Sequence, residues 1–159
     1  MKAITIIQPW ATLIALGEKK FETRSWRTNY RGSLAIHAGK KIDRGICEQE
    51  PFRSVLAKYG YTADNLPIGA VVAVANLTEC CQIERLTDSD VEIPPVKLHY
   101  SNGRVQGWFG YLKENKELIF GDYTDGRYAW ELSDVQQLPE PIEAKGMQGL
   151  WNWEYSSLA

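Results

Sequence analysis

The stretch Gln8-Pro9-Trp10-Ala11-Thr12-Leu13-Ile14-Ala15-Leu16-Gly17-Glu18-Lys19-Lys20-Phe21-Glu22-Thr23-Arg24-Ser25-Trp26 contains a helix, its stop signal and the strand that follows. Ala3 to Ile7, just before it, is rich in Ile and Thr and reads as a first strand. Pro9 suits the first position of a helix, because a missing N–H costs nothing there, and Gly17 is placed to end it. Trp10, Leu13, Ile14 and Gly17 share one face at helical spacing, so Trp10 and Leu13 are expected to point inward. Lys20 to Trp26 then reads as a second strand. Glu22, Arg24 and Trp26 fall on one face of it by the period of two. One short turn and strand thus set an amine, a carboxylate and a guanidinium beside large aromatics.

Working outward, Ser33 to Ala38 alternates and predicts a third strand, entered through Tyr30-Arg31-Gly32. Asp43 to Tyr59 predicts one helix, or two interrupted near Pro51, with Phe52, Val55 and Leu56 as the apolar stripe. Gly69 to Leu77 is a near-continuous Val/Ala run and predicts a central strand. Residues 83–107, with Pro94-Pro95 and Asn102-Gly103, read as an irregular excursion over the surface. Tyr111-Leu112, Leu118-Ile119-Phe120 and Tyr128 to Leu132 predict further short strands. In the tail, Gly146 and Gly149 flank Met147 before Trp151 and Trp153. There the glycines either let a segment close over a ligand or form a tight connection that seats Trp151. Short strands outnumber helices, so the expected class is α+β: a small closed β-barrel or highly bent sheet with short helices packed at its ends.

The chain of 159 residues suits a single domain over 1–159, with the irregular excursion at about 78–125. A hydrophobic content of 44% with 24% charged residues is that of an ordinary soluble protein. No apolar run approaches the roughly 20 residues needed to span a bilayer. The apolar start is short and interrupted by Gln8-Pro9, so no signal peptide is expected and the reading is cytoplasmic. Cys47, Cys80 and Cys81 lack metal-ligand spacing and read as free buried thiols. Net charge is −2, but residues 1–44 carry nine Lys/Arg against three Asp/Glu, while residues 45–159 carry nine against seventeen. A local basic face on an acidic body favours a localised anionic ligand or a short RNA segment over nonspecific coating of nucleic acid.

Gln8-Pro9-Trp10, the Gly17/Lys19/Glu22/Arg24 spacing followed by Trp26, the Gly32 to Ala38 strand with His37-Ala38, and Gly69-Ala70-Val71-Val72 together resemble the ASCH domain family. Trp130-Glu131-Leu132, Pro141 and Gly149-Leu150-Trp151 extend the likeness over most of the chain. The resemblance implies a PUA-like β-barrel with a cleft where the motif residues gather, and a role in RNA-related processes. Some members look like enzymes: amidohydrolases that deacylate N4-acetylcytidine, and ribonucleases. In those amidohydrolases a Lys and a Thr match Lys19 and Glu22, with a Glu further along. Here Glu22 replaces the Thr, Thr23 is displaced by one residue, and the third position is not placed.

Each candidate residue has two readings. Lys19 is a phosphate-neutralising or catalytic amine, or a solvated cation at a helix end. Glu22 and Arg24 form a ligand-facing pair or a surface ion pair worth under about 1 kcal/mol. Trp26 is a stacking platform for a base or a cap on the core. Gln8 is a helix-entry amide that points at ligand or inward. His37 is a general acid/base or a hydrogen-bonded interior residue. Lys40 and Lys41, with Arg27, Arg31 and Arg44, form an electrostatic rim or a merely solvated face. The tentative catalytic set is Lys19, Glu22 and His37. The expected binding set is Gln8, Lys19, Glu22, Arg24, Trp26, Lys40 and Lys41. No metal site and no cofactor is expected, since nucleophile-elbow, zinc, Walker and dinucleotide motifs are missing.

The expected function is recognition of RNA, a nucleoside or a nucleotide through a base and a phosphate. Alternatives are a hydrolase, either an amidohydrolase on an N4-acylated cytidine or a ribonuclease, and a module that docks a protein partner through Trp108, Phe109 and Tyr111.

Overall fold

The computed structural model describes residues 1–86, 95–108 and 116–154. Among them the protein is mostly sheet with few short helices. The elements are β1 (Lys2–Gln8), α1 (Trp10–Ala15), β2 (Phe21–Arg24), β3 (Gly32–Ile42), α2 (Arg44–Cys47) and α3 (Phe52–Lys58), then β4 (Ala70–Arg85), β5 (Val96–His99), β6 (Val105–Trp108), a 3-10 turn at Lys116–Leu118, β7 (Tyr128–Glu143) and β8 (Leu150–Asn152). The strand order is β2-β7-β4-β3-β1-β8, with β5 and β6 branching from β4. Among the described residues that path has two ends and is not closed, so the α+β class holds and the expected closed barrel is not what the described strands form. Strand count and alternation are the same for a bent open sheet and a closed one, so only the pairing separates them. No helix among the described residues is long and apolar enough to cross a membrane.

The chain divides into two compact units. One comprises Met1–Glu18, Ser33–Ala75 and Asp134–Ala159; the other comprises Lys19–Gly32 and Asn76–Ser133. In the first unit β1 runs parallel to β3, from Lys2 opposite Leu34 to Ile6 opposite Ala38, and antiparallel to β8. Ala70, Val71, Val72, Ala73 and Ala75 of β4 are all buried, as a run without polar alternation requires. Asp43 caps α2 by accepting from the Ile46 N–H, and Phe52, Val55 and Leu56 of α3 are buried. The helix break near Pro51 is thus present.

Helix α1 ends as its composition demands. The Glu18 N–H bonds the Leu13 carbonyl and the Gly17 N–H bonds the Ile14 carbonyl, each at 3.0 Å. This pair of bonds places the residue after the helix in the left-handed region, and Gly17 sits there at φ 77°.

In the second unit β2 pairs antiparallel with β7, with Glu22 opposite Trp130 and Arg24 opposite Tyr128. Residues 83–107, expected to be irregular, are corrected in part. Strand β4 continues to Arg85, and β5 and β6 form a hairpin around Asn102-Gly103. Val96 and Leu98 are buried while Lys97 is exposed, a period of two too short to stand out beside Pro94-Pro95. The expected strand at Leu118-Ile119-Phe120 is instead led by the 3-10 turn, since the Phe120 N–H bonds back to the Lys116 carbonyl. Tyr111-Leu112 lies outside the described residues. The core gathers Phe21, Cys81, Ile83, Val96, Leu98, Tyr100, Leu118, Tyr123 and Ala129, with Trp108 packed against it. Cys47, Cys80 and Cys81 are free and buried, and burial pushes the Cys81 thiol up to about 12.

Gly17→Ala forces a Cβ into the left-handed region at a cost of about 1 kcal/mol, which lowers Tm by roughly 2–4 °C in a protein of this size. A thermal melt followed by circular dichroism checks this.

Candidate functional site around Lys19

In the second unit, Lys19 precedes β2 and is only 1% exposed, an unusual place for an amine. Its Nζ has no hydrogen-bond partner among the described residues. Glu22, on β2, is buried and its Oε2 lies 3.1 Å from Arg24 Nη2, the same-face pair that the period of two predicts. The other carboxylate oxygen accepts from the Thr23 N–H at 3.1 Å. A second carboxylate comes from far along the chain. Glu117 Oε1, on the 3-10 turn, accepts from the Lys20 N–H at 2.5 Å, 97 residues away. That bond fastens the turn to the start of β2. Glu117 Oε2, Tyr123 Oη and Trp130 Nε1 are sealed from solvent and likewise carry no hydrogen bond.

The charges balance. Burial drives the Lys19 amine below its ordinary pKa, against Glu22 and Glu117, which favour its charged form, while Arg24 opposes it. Burial also pushes the Glu117 carboxyl up, opposed first by Lys19. Tyr123 is raised well above its usual value by burial and then by Glu117 and Glu22. Two cationic and two acidic side chains therefore influence one another in a low-dielectric setting. Groups of this kind gather where a fold binds or reacts.

Gly121 sets the wall. A Cβ at residue 121 would lie 2.8 Å from Tyr123 Cε2, 3.2 Å from Thr23 Cγ2 and 3.3 Å from Lys19 Nζ. Thr23, expected on the opposite face to Glu22, therefore lines the same wall through its methyl group, while its hydroxyl accepts from the Asp122 N–H. Trp26 lies beyond the end of β2, half-buried, edge-on to Trp130 at 4.8 Å and 88°.

The other predicted site residues belong to the first unit. Gln8 is fully buried, and its amide donates to Thr12 Oγ1 and the Pro67 carbonyl, both at 2.7 Å, while accepting from the Thr12 N–H. It braces the first turn of α1. His37 is 2% exposed, with Nε2 2.7 Å from the Ala144 carbonyl and Nδ1 3.1 Å from Thr5 Oγ1. A carbonyl only accepts, so Nε2 donates to Ala144. Trp151 Nε1 donates to the same Thr5 oxygen, and the Gly146 backbone passes so close that a Cβ there would lie 2.6 Å from it. The tail is thus the tight connection that seats Trp151. Lys40 and Lys41 are exposed on β3. Of the expected rim, Arg44 pairs with Asp64 in this unit, whereas Arg31 lies in the second unit and pairs there with Glu79 at 3.1 Å.

Glu117, Gly121 and Tyr123 escaped the sequence reading. None lies in a spaced motif, and the one trace of them is an apolar run that reads equally well as a strand. Trp108 is half-buried against Phe21 and Tyr123. Phe109 and Tyr111 lie outside the described residues. Among those described, no group of three His, Cys, Asp or Glu side chains is placed to hold a metal ion.

Gly121→Ala overpacks the wall and is expected to cost about 1–3 kcal/mol, read as a lowered urea midpoint at unchanged slope. Thr5→Ala strands the buried Trp151 N–H and removes the partner of His37, a loss of about 1–3 kcal/mol on the same measurement.

A family model, the ASCH domain, matches residues 4–142. Activating signal cointegrator 1 from Homo sapiens is 32% identical over 80 residues, which is 48% of this chain and 14% of that protein. The Mus musculus protein of the same name is 34% identical over 80 residues, with the same coverage of each chain. The matched segment is thus about one seventh of those relatives. With the family model spanning residues 4–142, most of its length, the chain belongs to the ASCH domain family.

Proposed function

We propose that this protein is a PUA-like module that binds RNA or a nucleotide through Lys19, Glu22, Arg24 and Trp26. The observation that carries the reading is the sealed Lys19 amine, without a hydrogen bond, beside Glu22, Glu117 and Arg24. A fold seldom leaves such a donor without a protein partner unless ordered water, an ion or a ligand completes it, or the group has a catalytic role. Trp26 offers a partly open aromatic surface held edge-on by Trp130, suited to stacking an unpaired base. Gln8 and His37, engaged as internal braces, have no part in this reading.

Fluorescence anisotropy with a labelled single-stranded RNA tests it. Binding is expected to weaken steeply between about 50 and 200 mM salt and to fall about tenfold or more in Arg24→Ala. Failure to bind even at low salt overturns it. Retained capture of a protein partner in that case would turn attention to the docking reading, which the name of the two relatives keeps in view.

A hydrolase is the second reading, favoured by the lowered Lys19 and raised Glu117. A neutral Lys19 amine accepts a proton as water adds to an acyl carbonyl, and a protonated Glu117 returns one to the departing amine. Its test is acetate release from N4-acetylcytidine, expected to vanish in Lys19→Ala.

A further inference from the structure

The geometry points to a neutral nucleobase edge, rather than a phosphate, as the group that reaches Lys19, with Glu117 as the residue that reads it. This rests on the binding reading above and specifies its ligand. Among the described residues one carboxylate oxygen, Glu117 Oε2, the Lys19 amine, the Trp130 indole N–H and the Tyr123 hydroxyl carry no hydrogen bond. Together they call for a ligand that presents a hydrogen-bond donor beside acceptors. Base edges do so, with an exocyclic amine or ring N–H next to a carbonyl or ring nitrogen. A phosphate presents acceptors alone and leaves Glu117 Oε2 unanswered.

Charge leads to the same ligand. Arg24 is already held by Glu22 at 3.1 Å, and the Lys19 amine is flanked by Glu22 and Glu117. A phosphate brought to that amine would add negative charge next to two acidic side chains where water does not screen it. A neutral edge adds none. Glu22 is bonded at both oxygens, by the Thr23 N–H and by Arg24, whereas Glu117 is fixed at Oε1 by the Lys20 N–H and keeps Oε2 unspent. A carboxylate clamped at one oxygen and open at the other is a preorganised acceptor, and its ligand loses little on ordering. Glu117 is thus a specificity-determining residue.

Competition against labelled RNA tests this, using cytidine, uridine, adenosine and guanosine, their 5′-monophosphates and inorganic phosphate. At least one nucleoside is expected to compete within about threefold of its monophosphate, with inorganic phosphate inert at the same concentration. Glu117→Gln keeps shape and the Lys20 contact, and is expected to weaken that nucleoside about tenfold or more while leaving the salt slope of RNA binding unchanged. Lys19→Met serves as a second variant of similar length, with the same expected loss, should Glu117→Gln prove unstable. If RNA binds but only monophosphates or inorganic phosphate compete, or if both variants bind the nucleoside like wild type, the inference falls and RNA binding stands. If neither RNA nor any nucleoside binds, the binding reading falls with it.

Discussion

A single long-range hydrogen bond organises the site: the Glu117 carboxylate accepting from the backbone N–H of Lys20. It ties a 3-10 turn to the start of β2 and so brings an acid from late in the chain to a lysine near its beginning. Without it the Lys19 amine would have Glu22 alone as a balancing charge while Arg24 opposed it. Burying an amine costs several kcal/mol unless charges of opposite sign and hydrogen bonds compensate it. Here Glu22 and Glu117 offset only part of that cost, since burial still lowers the amine's pKa, and no hydrogen bond among the described residues adds to it. The second unit therefore holds a group whose charge and hydrogen-bonding capacity are both incompletely met, and that imbalance marks it as the candidate site.

Packing holds the imbalance in place. Gly121 leaves room for the amine where any Cβ would meet the Tyr123 ring and the Thr23 methyl group. Tyr123 itself belongs to the core around Phe21, Leu98 and Leu118, so the wall of the site is also the interior of the unit. Movement of that wall would disturb the core, and the core resists volume change by even a methyl group. The first unit contrasts with this. There Thr5, His37, Trp151 and the Ala144 carbonyl satisfy one another, and the buried Gln8 amide answers both Thr12 and Pro67. Polar interior groups in that unit brace strands and leave little to offer a ligand.

Much of this was readable in advance where the cause was local. The stop of α1 at Gly17 follows from a left-handed position that a residue with a Cβ resists, and the pairing of Glu22 with Arg24 follows from the period of two. The burial of Val71 to Ala73 follows from a run without polar alternation. Strand β5 was missed because four alternating residues beside two prolines carry little signal. His37 and Gln8 were singled out by residue type and neighbourhood, yet what each does is decided by carbonyls at Ala144 and Pro67, far along the chain.

The sequence by itself determined the family pattern, the strand and helix periods, and the face on which Glu22 and Arg24 stand, because these depend on spacing and backbone geometry over a few residues. Only the tertiary structure decided that the described strands form an open path, that Lys19 is buried, and that Glu117, Tyr123 and Gly121 lie about it. Burial and electrostatic coupling are properties of neighbours in space, and the partners of Lys19 lie about a hundred residues from it, beyond the reach of any local rule.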